Sequence, residues 1–185
     1  MEKNKSVIIR RPRHEDAQAL KKLFEDTIEF VFELNDIDLP DLKAEEISGK
    51  QAFLMEDLES NGEKRYFLIA LVENRIAGII GIGPSNELIE ESTNGALNDV
   101  LEIGPVYVHP DFQKQGIGSK LMNAMYLTLL ARGQESFCLD SGYKSAQVIW
   151  TKKLGQASYI DIDKWAVGNH HMVWHKSLDE MNITL

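Results

Sequence analysis

The sequence predicts an α/β domain built around one mixed β-sheet, and three observations predict it. Short apolar runs alternate with longer stretches of helical apolar spacing, in the order β-α-α-β-β-β-α-β-α-β-β. No repeat, low-complexity tract or Pro/Ser-rich linker interrupts them, so residues 1–185 read as a single domain. Apolar residues make up 43% of the chain, enough to fill a core and to argue against disorder.

Each element has its own signal. Val7-Ile8-Ile9 reads as a short strand stopped near Pro12. From His14 to about Leu34, apolar residues at Ala17, Leu20, Phe24, Ile28 and Val31 fall at helical spacing. Asn35 to Asp41 reads as a polar loop containing Pro40, and a second helix is expected from Ala44 to Ser60, ended by the left-handed stop Asn61-Gly62. Tyr66 to Val72 and Ile76 to Ile82 are apolar runs joined by Glu73-Asn74-Arg75, which is a β-hairpin pattern. Gly83 to Asp99 reads as a polar loop with an Asn94-Gly95 turn. Val100 to Val108 is a strand, and Gly116 to Arg132 is a strongly apolar helix closed by Gly133. Ser136 to Leu139 is a strand and Tyr143 to Leu154 a helix, followed by strands near Ser158 to Ile162 and His171 to His175.

Composition narrows the function classes. The net charge of -9 and pI near 5.0 argue against nucleic-acid and anionic-membrane partners. Met1-Glu2-Lys3-Asn4-Lys5 carries no apolar signal-peptide stretch, and no run of about 18 apolar residues occurs, so a soluble, cytoplasmic protein is expected. A single cysteine, Cys138, forbids an internal disulfide. Its place in the run Phe137-Cys138-Leu139 predicts a buried, inert thiol.

The most informative segment runs from Leu101 to Ser119, where a strand enters a short polar loop and glycines open a helix. Backbone N–H groups at a helix N-terminus lack partners and face the positive end of the dipole, so phosphate oxygens bind there. Gly116 and Gly118 would let a pyrophosphate approach the backbone, and Lys114 adds charge. The P-loop pattern G-x-x-x-x-G-K-S/T is absent. The dinucleotide pattern G-x-G-x-x-G fails because Leu121 occupies its third glycine position.

The whole string V-x-V-H-P-D-F-Q-K-Q-G-I-G-S-K-L resembles the acetyl-coenzyme A motif of the GCN5-related N-acetyltransferase (GNAT) family. Gln113, Gly116 and Gly118 fill the fixed places of its Arg/Gln-x-x-Gly-x-Gly/Ala core. The element order is similar to that family's as well. The resemblance implies a mostly antiparallel mixed sheet flanked by helices, with a splayed, bulged central strand. Gly104-Pro105 marks a bulge or edge on residue type alone, or else a strand that begins only at Val106. By resemblance, Val106, Tyr107 and Val108 contact the pantetheine arm of acetyl-coenzyme A (acetyl-CoA). Gln113 and Lys114 belong to the same site, and the amides of Gln115, Gly116, Ile117, Gly118 and Ser119 hold the pyrophosphate.

Acetyl transfer to an amine requires a neutral amine, so a base is expected. Glu102 is a lone carboxylate in an apolar strand, where burial raises proton affinity. It lies eleven residues before Gln113, the offset at which the histone-acetylating branch carries its glutamate base; the alternative is a strand-edge glutamate facing solvent. The general acid is not identified. Many relatives place a tyrosine in the last helix, but Thr151 or Trp150 stands there, and Lys144 replaces the usual asparagine. Tyr143 and Tyr159 read as core or rim aromatics. His170, His171 and His175 lack companion ligands at metal-site spacing, so no metal is expected; Met172 and Trp174 are expected to face the core. The carboxylates of Asp36, Asp38 and Asp41 sit in the loop that borders the acceptor site in relatives.

The resemblance thus implies an enzyme that moves acetyl from acetyl-CoA to a small-molecule or peptide amine by direct attack, as a monomer or homodimer. The alternative is an inactive acyl-CoA-binding module of the same fold.

Overall fold

Chain segments that are apolar at nearly every position form the centre of the sheet, because both of their faces are covered. The strands are β1 (Val7–Arg10), β2 (Tyr66–Val72), β3 (Arg75–Pro84), β4 (Leu101–Val108), β5 (Ser136–Ser141), β6 (Tyr159–Ala166) and β7 (Asn169–Ser177). The helices are α1 (Ala17–Leu34), α2 (Pro40–Ser60), α3 (Glu87–Thr93), α4 (Ile117–Ala131) and α5 (Lys144–Leu154). The computed structural model describes residues 6–184; the Met1 to Lys5 segment discussed above lies outside the described residues.

The strands form one sheet in the order β1-β2-β3-β4-β5-β7-β6, antiparallel throughout except between β4 and β5. Alternation along β2 sends Leu68, Ala70 and Val72 to one layer and Phe67 and Ile69 to the other. The first layer is closed by α4, through Leu121, Met125 and Leu129, and by Leu154 of α5. The second is closed by Leu20, Phe24, Ile28 and Phe32 of α1 and Leu54 of α2. A smaller cluster of Ile89, Leu97, Cys138 and Val173 seats α3 beside them. Asp57, fully buried in α2, accepts the Phe67 backbone N–H at 3.0 Å and pairs with Arg11 at 3.0 Å, which fixes α2 to the start of β2.

Two features of β4 position the site. Ile80 faces Val106 while Ile82 faces Ile103, so three steps along β4 answer two along β3. The extra residue falls at Gly104-Pro105, whose peptide bond is cis. An inserted residue exchanges the faces beyond it. Ile103 and Val106 therefore share the α4 layer, while Tyr107 turns to the α1 layer. The second feature is that β4 and β5 are paired only at Glu102 and Cys138, after which the strands separate.

Several boundaries differ from expectation. α2 begins at Pro40 rather than Ala44, since proline at the first helical position gives up no hydrogen bond. The hairpin turn is only Glu73-Asn74, both with positive φ, and Arg75 already belongs to β3. The expected loop Gly83 to Asp99 contains α3. Its start is capped by the Asn86 side chain, which accepts the Ile89 N–H, and its end by left-handed Asn94. β6 continues to Ala166, beyond the expected Ile162.

Candidate active site

The segment from Gln113 to Ser119 folds back against the end of β4. Gln113 Nε2 donates to the Val108 carbonyl at 3.1 Å. Gly116 caps α4 in the left-handed region at φ 79°, a conformation that costs a side-chain-bearing residue energy. A Cβ on Gly118 would stand 3.6 Å from Val108 Cγ2, so the helix start lies against the strand end. The Ile117 side chain is buried in the core, which leaves its backbone as the part turned to the loop. Lys114, Gln115, Gly116 and Ser119 are exposed. Lys153, at the end of α5, donates to Ser119 Oγ at 2.7 Å and brings an ammonium to the first turn of α4. No local pattern marks that contact, which joins residues 34 positions apart.

Val106 and Val108 are half-buried against the α4 layer. Tyr107 packs edge-on to Phe24 with ring centroids 6.1 Å apart, and burial pushes its phenol upward. What β4 offers to the gap beside β5 is therefore backbone.

Glu102 sits where the two strands part. Its backbone pairs with Cys138, and protein packs densely around its carboxylate. Burial is the largest influence on this carboxyl and the Asp140 charge the next. Together they raise it to about 7, against the opposing pull of Lys50, a hydrogen bond from Asn86, and Arg65. The Asn86 backbone N–H donates to Glu102 Oε2 at 3.0 Å. Gly104 permits this placement, since a Cβ there would lie 2.8 Å from Glu102 Oε1. Glu102 is thus half-buried by surface area, with its carboxylate held in dense surroundings at the point where β4 and β5 part.

Two neighbours of Glu102 were not singled out in the sequence. Asp140, at the end of β5, accepts from Asn86 Nδ2 at 3.2 Å. His171 Nε2 lies 3.0 Å from Asp140 Oδ2. His171, treated above as one of a histidine group, is only 2% exposed, while His175 on the same strand is exposed. Alternation with buried Val173 was the available signal. Met172 and Trp174 do face the core, as expected.

The remaining candidates separate from this centre. The Cys138 thiol is buried and pushed up to about 12, first by burial and then by the Glu102 and Asp140 charges, so it is inert. Trp150 packs against the core and Tyr159 against the Ile89 cluster. Tyr143 Oη donates to Glu46 Oε1 at 3.0 Å; burial and that carboxylate push its phenol upward. Asp36 and Asp38 are exposed in the loop that Asn35 ties to Ser145 at the start of α5, while Asp41, also exposed, lies in the first turn of α2 rather than in the loop. Among the described residues, no three His, Cys, Asp or Glu side chains are grouped to hold a metal ion, and no helix is long and apolar enough to cross a membrane.

A parallel pair that separates beside a glycine-opened helix is the site's frame, and comparison with known proteins supplies the family. The profile described as "Acetyltransferase (GNAT) family" matches residues 27–171, and the chain belongs to that family. Among solved structures, it resembles a GNAT-family protein of Desulfovibrio desulfuricans at 17% identity and TM-score 0.71, covering 94% of this chain and 99% of that one. It resembles the PaiA N-acetyltransferase of Thermoplasma acidophilum, solved in complex with coenzyme A, at 14% identity and TM-score 0.66, with 92% and 99% covered. The yncA protein of Salmonella typhimurium, solved with acetyl-CoA, matches at 17% identity and TM-score 0.65, with 97% and 98% covered. At these identities the likeness is one of fold. No curated protein matches the chain in sequence.

Proposed function

We propose that the chain transfers the acetyl group of acetyl-CoA to a primary amine, on a small molecule or a peptide, by direct attack of the amine on the thioester. One observation supports this above the others: Glu102, raised to about 7, stands at the point where β4 and β5 part. The same gap ends at the glycine-opened N-terminus of α4.

The residues present fit the coenzyme. The amides of Gln115 to Ser119, together with Lys114 and Lys153, would hold the pyrophosphate. A Cβ at Gly116 would meet nothing within 4 Å, so this approach to the backbone is open. Beyond Glu102, the edge of β4 at Val106, Tyr107 and Val108 is unpaired on its β5 side and would take the pantetheine amides. Acetyl-CoA bound there supplies the thioester carbonyl that the amine attacks.

Glu102 acts as the general base. The amine nitrogen bonds to the thioester carbon as its N–H bond breaks and a Glu102 O–H bond forms, directly or through one water; the C–S bond breaks, and coenzyme A leaves as a thiolate that takes its proton from solvent. A carboxyl near 7 is matched to neutral pH, being part ionised and basic enough to hold the proton. The exposed carboxylates of Asp36, Asp38 and Asp41 would draw a cationic amine toward the site.

A second function, coenzyme binding without transfer, is favoured by one observation. α5 carries Trp150 and Thr151 where relatives place an acid-donating tyrosine, and the nearby Tyr143 hydroxyl is engaged by Glu46. Thiol release from acetyl-CoA, measured with and without a panel of amines, separates the two. Amine-dependent release that falls about 100- to 10,000-fold in Glu102→Gln supports the transferase. Tight binding with no amine-dependent release supports the binding module.

A further inference from the structure

We infer that Arg65 and Lys50 form a carboxylate-binding subsite beside Glu102, so that the acceptor is an amino acid, bearing amine and carboxylate on one small molecule. This names the acceptor class for the proposed transfer and rests on that reading.

The register of the sheet places the subsite. Ile82 and Ile103 stand opposite each other and both enter the α4 layer. The next pair along the ladder, Gly83 and Glu102, therefore faces the α1–α2 side. Gly83 brings no side chain to that face, and the Arg65 guanidinium lies over it. A Cβ on Gly83 would collide with Arg65 Nη1 and stand 3.1 Å from Cζ. Side chains directly opposite in an antiparallel ladder start about 4.5–5.5 Å apart. The guanidinium thus occupies the place beside Glu102 that a Gly83 side chain would otherwise take.

The guanidinium is held with its fork free. Arg65 Cζ stacks 3.5 Å from the centroid of the Phe53 ring, and Nε donates to Glu56 Oε2 at 2.8 Å. Stack and ion pair fix the plane of the group, and its side chain is only 15% exposed. Among the described residues, neither Nη1 nor Nη2 donates a hydrogen bond. Two parallel N–H donors in a fixed plane match a carboxylate. Lys50, from α2, brings a second cation over the same ring, Nζ 5.4 Å from its centroid, and it too has no ion-pair partner among the described residues.

The charges select the ligand. Both cations act on the Glu102 charge, yet neither lies within ion-pair distance of it. An acceptor fits between base and fork if its amine meets Glu102 and its anionic group meets Arg65. Two fixed cations beside the base repel a diamine or polyamine, whose second charge is positive, and favour an amine whose second charge is negative.

Thiol release from acetyl-CoA, measured with the common amino acids, their carboxamides and the corresponding decarboxylated amines, tests this. For the best amino acid, kcat/KM should exceed that of its carboxamide about 10- to 100-fold, the worth of hydrogen bonds to a charged group. The neighbouring carboxylate makes an amine harder to deprotonate, so this preference cannot arise from the amine itself. In Arg65→Lys, which keeps the charge and loses the fork, the preference should shrink, chiefly through KM. In Lys50→Met it should shrink as well, and in the double variant it should approach one. Calorimetric titration of each amino acid and carboxamide into the coenzyme A complex reads the same preference without turnover. Equal kcat/KM for acid and carboxamide overturns the subsite and leaves the transferase standing. So does a preference that survives unchanged in folded Arg65→Lys and Lys50→Met. If no amine is acetylated, the transferase fails; carboxylate-dependent binding that is lost in Arg65→Lys then still supports the subsite, and its absence overturns the subsite too.

Discussion

Glu102→Gln should make the protein more stable at alkaline pH while removing its base. The carboxyl lies at about 7 in the folded protein against 4.5 for an ordinary glutamate. Between those values the folded state keeps a proton that the unfolded state has released, so raising the pH favours unfolding. The difference of about 2.5 pH units, at about 1.4 kcal/mol each, corresponds to about 3 kcal/mol of lost stability above pH 7. Glutamine has the shape of glutamate, accepts the Asn86 N–H through its carbonyl and cannot ionise. The variant should therefore match the wild type near pH 5 and exceed it by about 3 kcal/mol at pH 8.5. For a chain of this size that is roughly 6–12 °C in melting temperature. Urea melts at pH 5, 6, 7 and 8.5 would measure it. A constant difference at all four values, or a less stable variant at pH 8.5, would refute the placement of Glu102 in a proton-retaining environment.

Two further outcomes follow from the same structure. Asp57→Ala strands Arg11 and the Phe67 N–H, both satisfied by this buried carboxylate. Its cost should be about 3–5 kcal/mol in denaturant melts, with Asp57→Asn costing less. Acetyl-CoA at a hundred times its dissociation constant should add about 2.7 kcal/mol of stability, visible as a thermal shift larger than that from NAD or ATP at equal concentration; equal shifts would indicate generic phosphate binding.

The sheet, the helices at both of its faces and the phosphate loop were legible because they follow local rules. Gly116 and Gly118 stand at fixed spacing after an apolar strand, and the runs of β2 and β3 are apolar at nearly every position. α3 was hidden because only Leu88 and Ile89 are large apolar residues among its seven, too few to show a period, although Asn86 and Asn94 mark its ends. Glu102 stood out as a charge in an apolar strand. Asp140 and His171 did not, because their meeting depends on β4 lying parallel to β5 and β7 antiparallel to it. No local pattern encodes that pairing. Lys153 reaches Ser119 across 34 positions of sequence for the same reason.

The N-terminus of α4, beside the gap between β4 and β5, is the proposed seat of acetyl-CoA. Calorimetric titration of acetyl-CoA into the wild type and Gly118→Asp tests it most directly. The substitution sets a carboxylate against the pyrophosphate and fills the approach beside Val108. Affinity should fall roughly tenfold or more, by charge repulsion at a helix N-terminus, while the melting temperature without ligand stays close to wild type. Unchanged affinity in a folded Gly118→Asp variant, or no binding by the wild type, would contradict it.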